Sequence, residues 1–310
     1  MIQKFKTIQG NLKEVEEFED GSWINVVNPT NGELEDLSHR LNVPLDFLMD
    51  TLDIDETARI EAEDGCTLII LRVPRFEGED ISIAFTTQPL GIIFTGRAFI
   101  TVCSKETDII SDFVAGRVKK FFSENRSRFL LQIFVRTASL YLRYLKDIYK
   151  RTTAIESELH KAMKNKELIK LLNFEKSLVF FTTSLKSNEL MMERLQKMGI
   201  IKMNPDDEDL LEDVIIENKQ AIEMSNIYSN ILGGMMDAFA SVISNNLNVV
   251  MKFLTMVTVI LMIPTLIASI YGMNIKLPLQ NLPHIFLVTV GFSLILLIIF
   301  AWIFVKKKWI

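Results

Sequence analysis

The sequence predicts an N-terminal α/β domain, then long helices, and last a membrane domain of two helices. The chain has 310 residues and a net charge of −5, and almost all of its charge lies before residue 253. Two uncharged segments follow, nineteen residues at 253–271 and twenty-one at 285–305. From residue 124 onward, apolar residues recur at helical spacing ahead of these segments. The length suggests about two domains of ~150 residues each, here a soluble part and a membrane part.

Residues 1–123 are predicted to form a cytoplasmic α/β domain. The stretches SWINVVNP and CTLIILRVP are rich in β-branched residues and end at proline, which is typical of strands. ISIAFTTQPLGIIFTGRAFITVC predicts further strands, interrupted at Pro89, Gly91 and Gly96. ELEDLSHRL and DFLMDTL have helical spacing. These patterns predict a folded domain but indicate no chemistry.

Residues 124–203 are predicted to form a helical hairpin. FLLQIFVRTASLYLRYLKDIYKRTTAIESELHKAM has apolar positions every three or four residues and contains no glycine or proline. A break near KNKE separates it from a second helix that runs to Met198.

A stalk helix is predicted over residues 204–252, continuing into a first transmembrane helix. Asn204 suits the N-cap and Pro205 the first helical position, and acidic residues follow where they face the positive end of the helix dipole. The next proline is Pro264, so a helix unbroken to residue 271 would be about 100 Å long. Gly233 and Gly234 are its weak point, because each costs about 1 kcal/mol relative to alanine.

The two uncharged segments are predicted to span a membrane as helices at 253–271 and 285–305. About 20 helical residues cross a ~30 Å hydrocarbon core, and too little chain follows the second segment to bury both in a soluble domain. Lys252 precedes the first span, whereas the loop at 272–284 has Lys276 alone. A basic tail at 306–310 follows the second span with Lys306, Lys307 and Lys308. The positive-inside rule therefore places both termini in the cytoplasm and the loop outside, in the plasma (inner) membrane.

A polar stripe runs along the first span. Its members step alternately by four and three residues, which places them on one helical face: Ser244, Asn248, Met251, Thr255, Thr258, Met262, Thr265 and Ser269. One interpretation is a packing face, or hydroxyls bonded back to their own helix. The other is a pore lining formed when several copies face a common axis. Two spans cannot enclose a channel, so a pore requires a homo-oligomer.

The stretch YGMN, after the first of two C-terminal spans and behind a long helix, resembles the signature of the CorA family of divalent-cation channels. SNNLNVVMKFLTMVTVILMIPTLIASIYGMN is similar to that family's pore helix, and VKKKWI resembles its basic tail. ETARIEAEDGCTLIILRVPRF fits its N-terminal domain more loosely. The resemblance implies a funnel-shaped homopentamer that admits Mg²⁺, and often Co²⁺ and Ni²⁺.

The resemblance also implies roles for individual residues. Gly272, Met273 and Asn274 match the selectivity signature, in which Asn274 would present its amide oxygen to the incoming hydrated ion. Gly272 has a second interpretation, as the left-handed cap that ends the helix. Asn248 matches a polar ring near the cytoplasmic end of the pore, and Thr265 matches a pore-lining threonine. The hydrophobic constrictions are matched by Met251, Leu254 and Met262. The predicted pore lining adds Thr255 and Thr258 from the polar stripe. Leu254 lies one position off the stripe through Thr255, so one of these two assignments requires a rotation.

Asp237 is the only charged residue between Met224 and Met251. The resemblance implies that it binds regulatory Mg²⁺ together with a carboxylate of the neighbouring subunit, closing the channel when cytoplasmic Mg²⁺ is high. Candidate partners, by composition only, are Asp50, Asp53 and Asp55. The alternative is a solvated surface acid.

Seven acidic residues and no basic one lie between residues 206 and 217. Such runs are typical of solvated helix starts. The alternative is contact with the basic ring that Lys306, Lys307 and Lys308 would form in a pentamer.

Two departures from the family pattern concern the ion path. The loop NIKLPLQNLPH contains Lys276 and no acid, where many members carry acids, so we expect weaker electrostatic capture of cations. Pro264 lies one residue later than the proline of some relatives, so the kink near Met262 is expected to differ.

A zinc-transporting relative and a membrane-anchored divalent-cation sensor or scaffold without conduction stay open. An enzyme is not expected, since His39, His160 and His284 are far apart and no HExxH, GxSxG or phosphate loop is present. Cys66 and Cys103 give no disulfide framework or metal cluster. We expect Mg²⁺ as transported and regulatory ion without an organic cofactor, and as partners further copies of the chain, membrane lipids and divalent cations, but no nucleic acid.

Overall fold

A computed structural model describes residues 1–8, 11–79, 81–118, 121–161, 165–274 and 284–307, with the backbone alone of residues 11, 160 and 161. Lys276 of the predicted loop and Lys308 of the predicted basic tail lie outside the described residues.

The N-terminal domain is built on a seven-stranded sheet in the order β2-β1-β3-β7-β6-β5-β4. The strands are β1 Ile2–Ile8, β2 Asn11–Glu14, β3 Trp23–Val27, β4 Arg59–Glu63, β5 Cys66–Phe76, β6 Phe85–Phe94 and β7 Phe99–Cys103. All paired neighbours are antiparallel except β3 and β7, which run parallel with Trp23 opposite Phe99. The parallel pair requires a crossover, and the chain between the two strands supplies it.

Seven helices complete the described chain. They are α1 Asn31–Leu41, α2 Leu45–Asp50, α3 Asp108–Val114, α4 Arg126–Lys161, α5 Asn165–Met198, α6 Pro205–Tyr271 and α7 Ile285–Lys306. The predicted α/β domain followed by long helices and two apolar C-terminal helices is thereby confirmed. α1 begins at a capping box, in which the Thr30 hydroxyl accepts from the Glu33 N–H and the Glu33 carboxylate from the Thr30 N–H.

The sheet is covered on both faces, and β5 shows why. Alternate side chains of a strand point to opposite faces. Ile69 and Leu71 lie in the core shared with the long helices, whereas Leu68 and Ile70 lie in the core shared with α1 and α2. A strand buried on both faces is apolar throughout, which explains the unbroken run LIIL at 68–71.

The helix α6 is continuous from Pro205 to Tyr271. Asn204 is its N-cap, as predicted, because its Oδ1 accepts a hydrogen bond of 2.9 Å from the Asp207 N–H. The chain divides into two compact units, Met1–Gly234 and Met235–Ile310. The division falls at the glycine pair that the sequence marks as the weak point of the helix. The second unit contains the C-terminal part of α6 and α7.

Two described helices, α6 and α7, are long and apolar enough to cross a membrane. Their most apolar windows are 6% buried within the chain. A soluble protein would bury such surface, so these windows need an apolar environment that the chain itself does not supply.

Candidate functional site

Every member of the polar stripe on α6 is exposed in the single chain. Met251 is 52% exposed and Met262 is 63% exposed. The residues that the chain does cover include Met256, which is 7% exposed, and the half-buried Ile260 and Ile263. At about 100° per residue, these three lie on the opposite side of the helix from the stripe. The chain therefore leaves the stripe free for contact with something else.

The threonine hydroxyls of the stripe bond to their own helix. Thr255 Oγ1 donates to the Met251 carbonyl at 2.8 Å, Thr258 Oγ1 to the Leu254 carbonyl at 2.8 Å, and Thr265 Oγ1 to the Leu261 carbonyl at 2.9 Å. This back-bonding is the alternative to a pore lining that the sequence leaves open. It uses the one donor of each hydroxyl and leaves the oxygen lone pairs as acceptors.

The stripe therefore presents acceptors without charge. Water molecules bound to a divalent cation direct their hydrogen atoms outward, so a hydrated ion needs acceptors around it. Hydroxyl oxygens, the Asn248 amide and two thioethers can meet that need without binding the ion tightly. Leu254, 57% exposed and one residue before Thr255, borders the stripe.

The signature residues Gly272, Met273 and Asn274 follow α6 directly, and all three are exposed. The Gly272 N–H donates to the Ala268 carbonyl at 2.9 Å and the Met273 N–H to the Ile270 carbonyl at 3.3 Å, so the turn continues the helix. The interpretation of Gly272 as a left-handed cap is wrong, since its φ is not positive. A Cβ there would lie 3.3 Å from the Ala268 oxygen, which is tighter than an ordinary contact.

Asp237 is exposed on α6, and no described residue of the chain pairs with it. Among its candidate partners, Asp50 forms an ion pair with Arg59, in which Oδ2 lies 2.6 Å from Nη2. The Asp53 carboxylate accepts a hydrogen bond of 3.0 Å from the Asp55 N–H. No group of three or more His, Cys, Asp or Glu residues in the described part of the chain could hold a metal ion. A metal site at Asp237 would need ligands from elsewhere, such as a second subunit.

The acidic start of α6 contains an ion pair that sequence reasoning missed. Asp207 Oδ1 lies 2.9 Å from Arg128 Nη1, and the Asp207 side chain is 2% exposed. Arg128 lies at the start of α4, so the pair joins the stalk helix to the hairpin. The two residues are 79 positions apart, and no local pattern relates them. Asp207 is therefore not one of the solvated acids of this run.

The basic tail and the cysteines complete the predicted residues. Lys306 Nζ lies 4.9 Å from the centroid of the Trp302 ring, a cation–π contact, and Lys307 is exposed. Cys66 and Cys103 are free and buried. Burial raises the pKa of the Cys103 thiol to about 12, so it stays a neutral thiol at physiological pH.

Comparison with known proteins identifies relatives along nearly the whole chain. The family model described as "CorA-like Mg2+ transporter protein" matches residues 18–308. The cobalt/magnesium transport protein CorA of Methanocaldococcus jannaschii is 31% identical over 98% of this chain and 96% of its own. The magnesium transport protein CorA of Helicobacter pylori (strain 26695) is 24% identical over 93% of this chain and 90% of its own. The complete structure of the Methanocaldococcus jannaschii CorA magnesium transporter superposes with a TM-score of 0.85 at 28% identity, covering 100% of this chain and 99% of that one.

Proposed function

Because the chain belongs to the CorA family of Mg²⁺ transport proteins, we propose that it forms a homopentameric channel for passive Mg²⁺ uptake, gated by intracellular Mg²⁺. As a CorA-family chain with two apolar C-terminal helices, it is a membrane protein. The observation that carries the channel proposal is the exposed polar stripe on α6, which leads to the exposed Asn274 at the end of the helix.

The uncovered stripe supports a pore formed by several first spans. The chain covers the side of α6 that contains Met256 and leaves the hydroxyl side free. In a ring of copies, the free sides would face a common axis, and the apolar second spans would face lipid. Five copies are proposed from family membership. The helices would then surround a funnel that narrows at Met251, Leu254 and Met262.

The chemistry of the stripe suits a hydrated ion. Mg²⁺ loses its water reluctantly and demands octahedral oxygen, so protein sites usually leave it several waters. A ring of Asn274 amides would hold the hydrated ion by hydrogen bonds from its waters. Conduction requires sites weak enough to release the ion, and neutral oxygens supply that. Co²⁺ and Ni²⁺ are further candidate ions, and the name of the Methanocaldococcus jannaschii relative includes cobalt.

Asp237 is the proposed regulatory residue. Its carboxylate is exposed and without a partner in the described chain, so it is free to share Mg²⁺ with a carboxylate of a neighbouring subunit. Asp53 and Asp55 are exposed and form no ion pair within the described residues, whereas Asp50 would have to leave Arg59. High cytoplasmic Mg²⁺ would link the subunits and close the channel.

The lysines support an orientation in which the protein spans the plasma (inner) membrane with both termini in the cytoplasm. Lys252 and the tail lysines Lys306 and Lys307 lie on the same side of the two spans, which is the cytoplasmic side by the positive-inside rule. The loop with the signature would then face the outside, at the entry for Mg²⁺.

The proposal is tested by Mg²⁺ entry into proteoliposomes loaded with a fluorescent indicator, under an inward gradient and low internal Mg²⁺. We expect entry with the wild type and its loss with Asn274→Ala at an unchanged oligomeric state. Asn245→Ala is the matched control, because Asn245 is exposed on the same helix but turned about 120° from the centre of the stripe. No entry with the wild type would contradict the channel and favour the non-conducting sensor. Faster entry of Zn²⁺ than of Mg²⁺ would favour the zinc-transporting class.

A further inference from the structure

The helices α5 and α6 lie side by side and antiparallel in the first unit. Asn218 Nδ2 donates to the Leu185 carbonyl at 2.9 Å, and the Thr182 and Ser225 hydroxyls are 2.8 Å apart. Lys219 of α6 reaches two glutamates of α5 at 3.4 and 3.5 Å. These contacts use the inner sides of both helices, and the outer sides stay exposed.

The outer side of α5 carries only basic charge. Every exposed charged residue of this helix is a lysine or arginine, whereas its four glutamates are buried or half-buried. Six large apolar side chains of this helix are exposed, from Leu172 at 42% to Leu190 at 62%, and five of them lie between Ile169 and Leu190. We call this surface the basic face, and its members are Ile169, Leu172, Lys176, Val179, Phe180, Lys186, Leu190 and Arg194.

The outer side of α6 in the same unit carries the opposite charge. Its exposed charged residues are acidic except Lys219, which is paired with α5. Three isoleucines between the acids are exposed by 45% to 57%. We call this surface the acidic face, and its members are Asp209, Glu212, Asp213, Ile216, Glu223, Ile227 and Ile231.

Neither face has a partner within the described chain. None of the charged members of the two faces forms an ion pair with any described residue. Charge of opposite sign, interspersed with aliphatic side chains over similar lengths, is what complementary protein surfaces present. The two faces complement each other, but they lie on different sides of the same chain. A second copy of the chain is therefore the partner that can cover either face.

We propose that the basic face of one copy packs on the acidic face of the next copy in the assembled protein. The contact is heterologous, because two different surfaces of the chain meet, and such contacts repeat into a closed ring when the rotation closes. The inference rests on the self-association in the proposed function and names the surfaces that would produce it in the soluble part.

The register within the chain supports this pairing. If the axis of the ring is parallel to these helices, all copies lie at the same height along it. The register of α5 relative to α6 of the neighbouring copy is then the same as its register relative to α6 of its own chain. Counting in opposite directions from a level midway between the Thr182–Ser225 and Leu185–Asn218 contacts, Leu190 falls level with Ile216 to within one residue. By the same count Val179 falls level with Ile227, and Arg194 with Glu212, each to within one residue. Apolar residues meet apolar residues, and the arginine meets an acid.

Cysteine cross-linking between two differently tagged chains tests the contact. One chain carries Val179→Cys and the other Ile227→Cys, and the co-purified full-length protein is oxidised in saturating Mg²⁺, where the proposed channel is closed. We expect a covalent dimer that contains both tags. Each variant alone should give none, because a heterologous contact does not bring Val179 to Val179. The native Cys66 and Cys103 are buried and give no background.

Three outcomes would overturn the inference. A dimer formed by one variant alone would show that like surfaces meet. The same yield with Val114→Cys, an exposed valine outside both faces, in place of Val179→Cys would show collision without specific contact. No dimer in protein that still forms the oligomer and conducts Mg²⁺ would reject these surfaces and leave the channel standing, whereas a monomer without Mg²⁺ entry would reject the proposed function as well.

Charge reversal gives an independent test of the same contact. Lys186→Glu with Arg194→Glu in the Val179→Cys chain should abolish most of the covalent dimer, since acids would then face acids. Glu212→Lys with Glu223→Lys in the Ile227→Cys chain should restore it. Loss without restoration would contradict the pairing of the two faces, and so would a yield that the reversal leaves unchanged.

Discussion

The side chain of Asn188 on α5 pairs with the backbone of Arg72 on β5 through two hydrogen bonds. The Arg72 N–H donates to Asn188 Oδ1 at 2.9 Å, and Asn188 Nδ2 donates to the Arg72 carbonyl at 2.8 Å. The Tyr141 hydroxyl of α4 donates to the same carbonyl at 3.0 Å. Both long helices are therefore fixed to one peptide of the central sheet, and Asn188 is 1% exposed.

Replacing Asn188 with leucine should destabilise the protein by about 1–3 kcal/mol. The substitution removes the Asn188 acceptor of the Arg72 N–H, while the Arg72 carbonyl keeps the Tyr141 hydroxyl as its donor. The measurement is the midpoint of chemical unfolding of the full-length protein in detergent. Asn245→Leu, at an exposed position, should leave the midpoint within error. Equal midpoints for the two variants would contradict the role of Asn188.

Replacing Gly91 with alanine should also destabilise the protein, by about 1–3 kcal/mol. A Cβ at this position would overlap Thr51 Cγ2 and lie 2.6 Å from Thr51 Cβ, and Thr51 is fully buried. Thr51→Ser removes the nearest methyl group and should recover part of the loss in the double variant. Gly96→Ala, where nothing lies within 4 Å, is the control in the same melting experiment. A double variant no more stable than Gly91→Ala would argue against the clash.

Stability should fall as the pH rises above 9. Burial raises the pKa of the Cys103 thiol from its ordinary 9.0 to about 12, and burial with the nearby Asp108 carboxylate raises the pKa of Tyr144 to about 12. Both groups hold their protons more tightly in the folded chain, so their contribution is complete below the ordinary pKa and is lost towards pH 12. Between the two pKa values of Cys103, its contribution to the free energy of unfolding falls by about 1.4 kcal/mol per pH unit.

Melting temperatures measured between pH 8 and pH 10.5 test this slope. Cys103→Ala should flatten it, because the variant has no thiol to ionise, although its stability at pH 8 falls through the lost packing. A slope that the variant leaves unchanged would show that other groups govern the alkaline transition.

The fold was predictable where one periodicity extends over many residues. The helices α4 to α7 and the apolar strands β3, β5, β6 and β7 follow from such patterns. The strands β1 and β2, with sequences IQKFKTI and NLKE, were missed for different reasons. β2 is a four-residue edge strand without β-branched residues, and in β1 glutamine and lysines separate the apolar residues. The seven-residue α3 is too short to show a helical period.

The candidate site was predictable in part for the same reason. The stripe depends on spacing along one helix, which places its members on one face, whereas its exposure became visible only in the structure. Ion pairs such as Arg128 with Asp207 depend on the folded topology, and no local sequence pattern predicts them. The alternative interpretation of Gly272 as a left-handed cap was wrong, because a glycine at a helix end is compatible both with such a cap and with a further helical turn.

Replacing Thr265 with valine should lower Mg²⁺ entry by about tenfold, which corresponds to about 1.4 kcal/mol. The change keeps the shape of the side chain but replaces the acceptor oxygen of the proposed pore lining with a methyl group. Thr289→Val is the matched control, because Thr289 makes the same bond to the carbonyl four residues earlier, at 2.9 Å, but belongs to the second span. Equal effects of the two variants on indicator fluorescence would place the stripe outside the ion path.

Replacing Asp237 with asparagine should raise the internal Mg²⁺ concentration that half-inhibits entry, by about tenfold or ~1.4 kcal/mol, with maximal entry unchanged. The amide keeps the size of the side chain but removes the charge that the proposed regulatory ion requires. Asp46→Asn is the control, since Asp46 is another exposed aspartate, on α2 of the first unit. Mg²⁺ entry is measured in proteoliposomes that are filled with a series of Mg²⁺ concentrations. The oligomeric state of the Asp237→Asn protein is verified beforehand. An unchanged half-inhibiting concentration would make Asp237 a solvated acid of the stalk. Reduced maximal entry would place it in the ion path and not in the regulatory site.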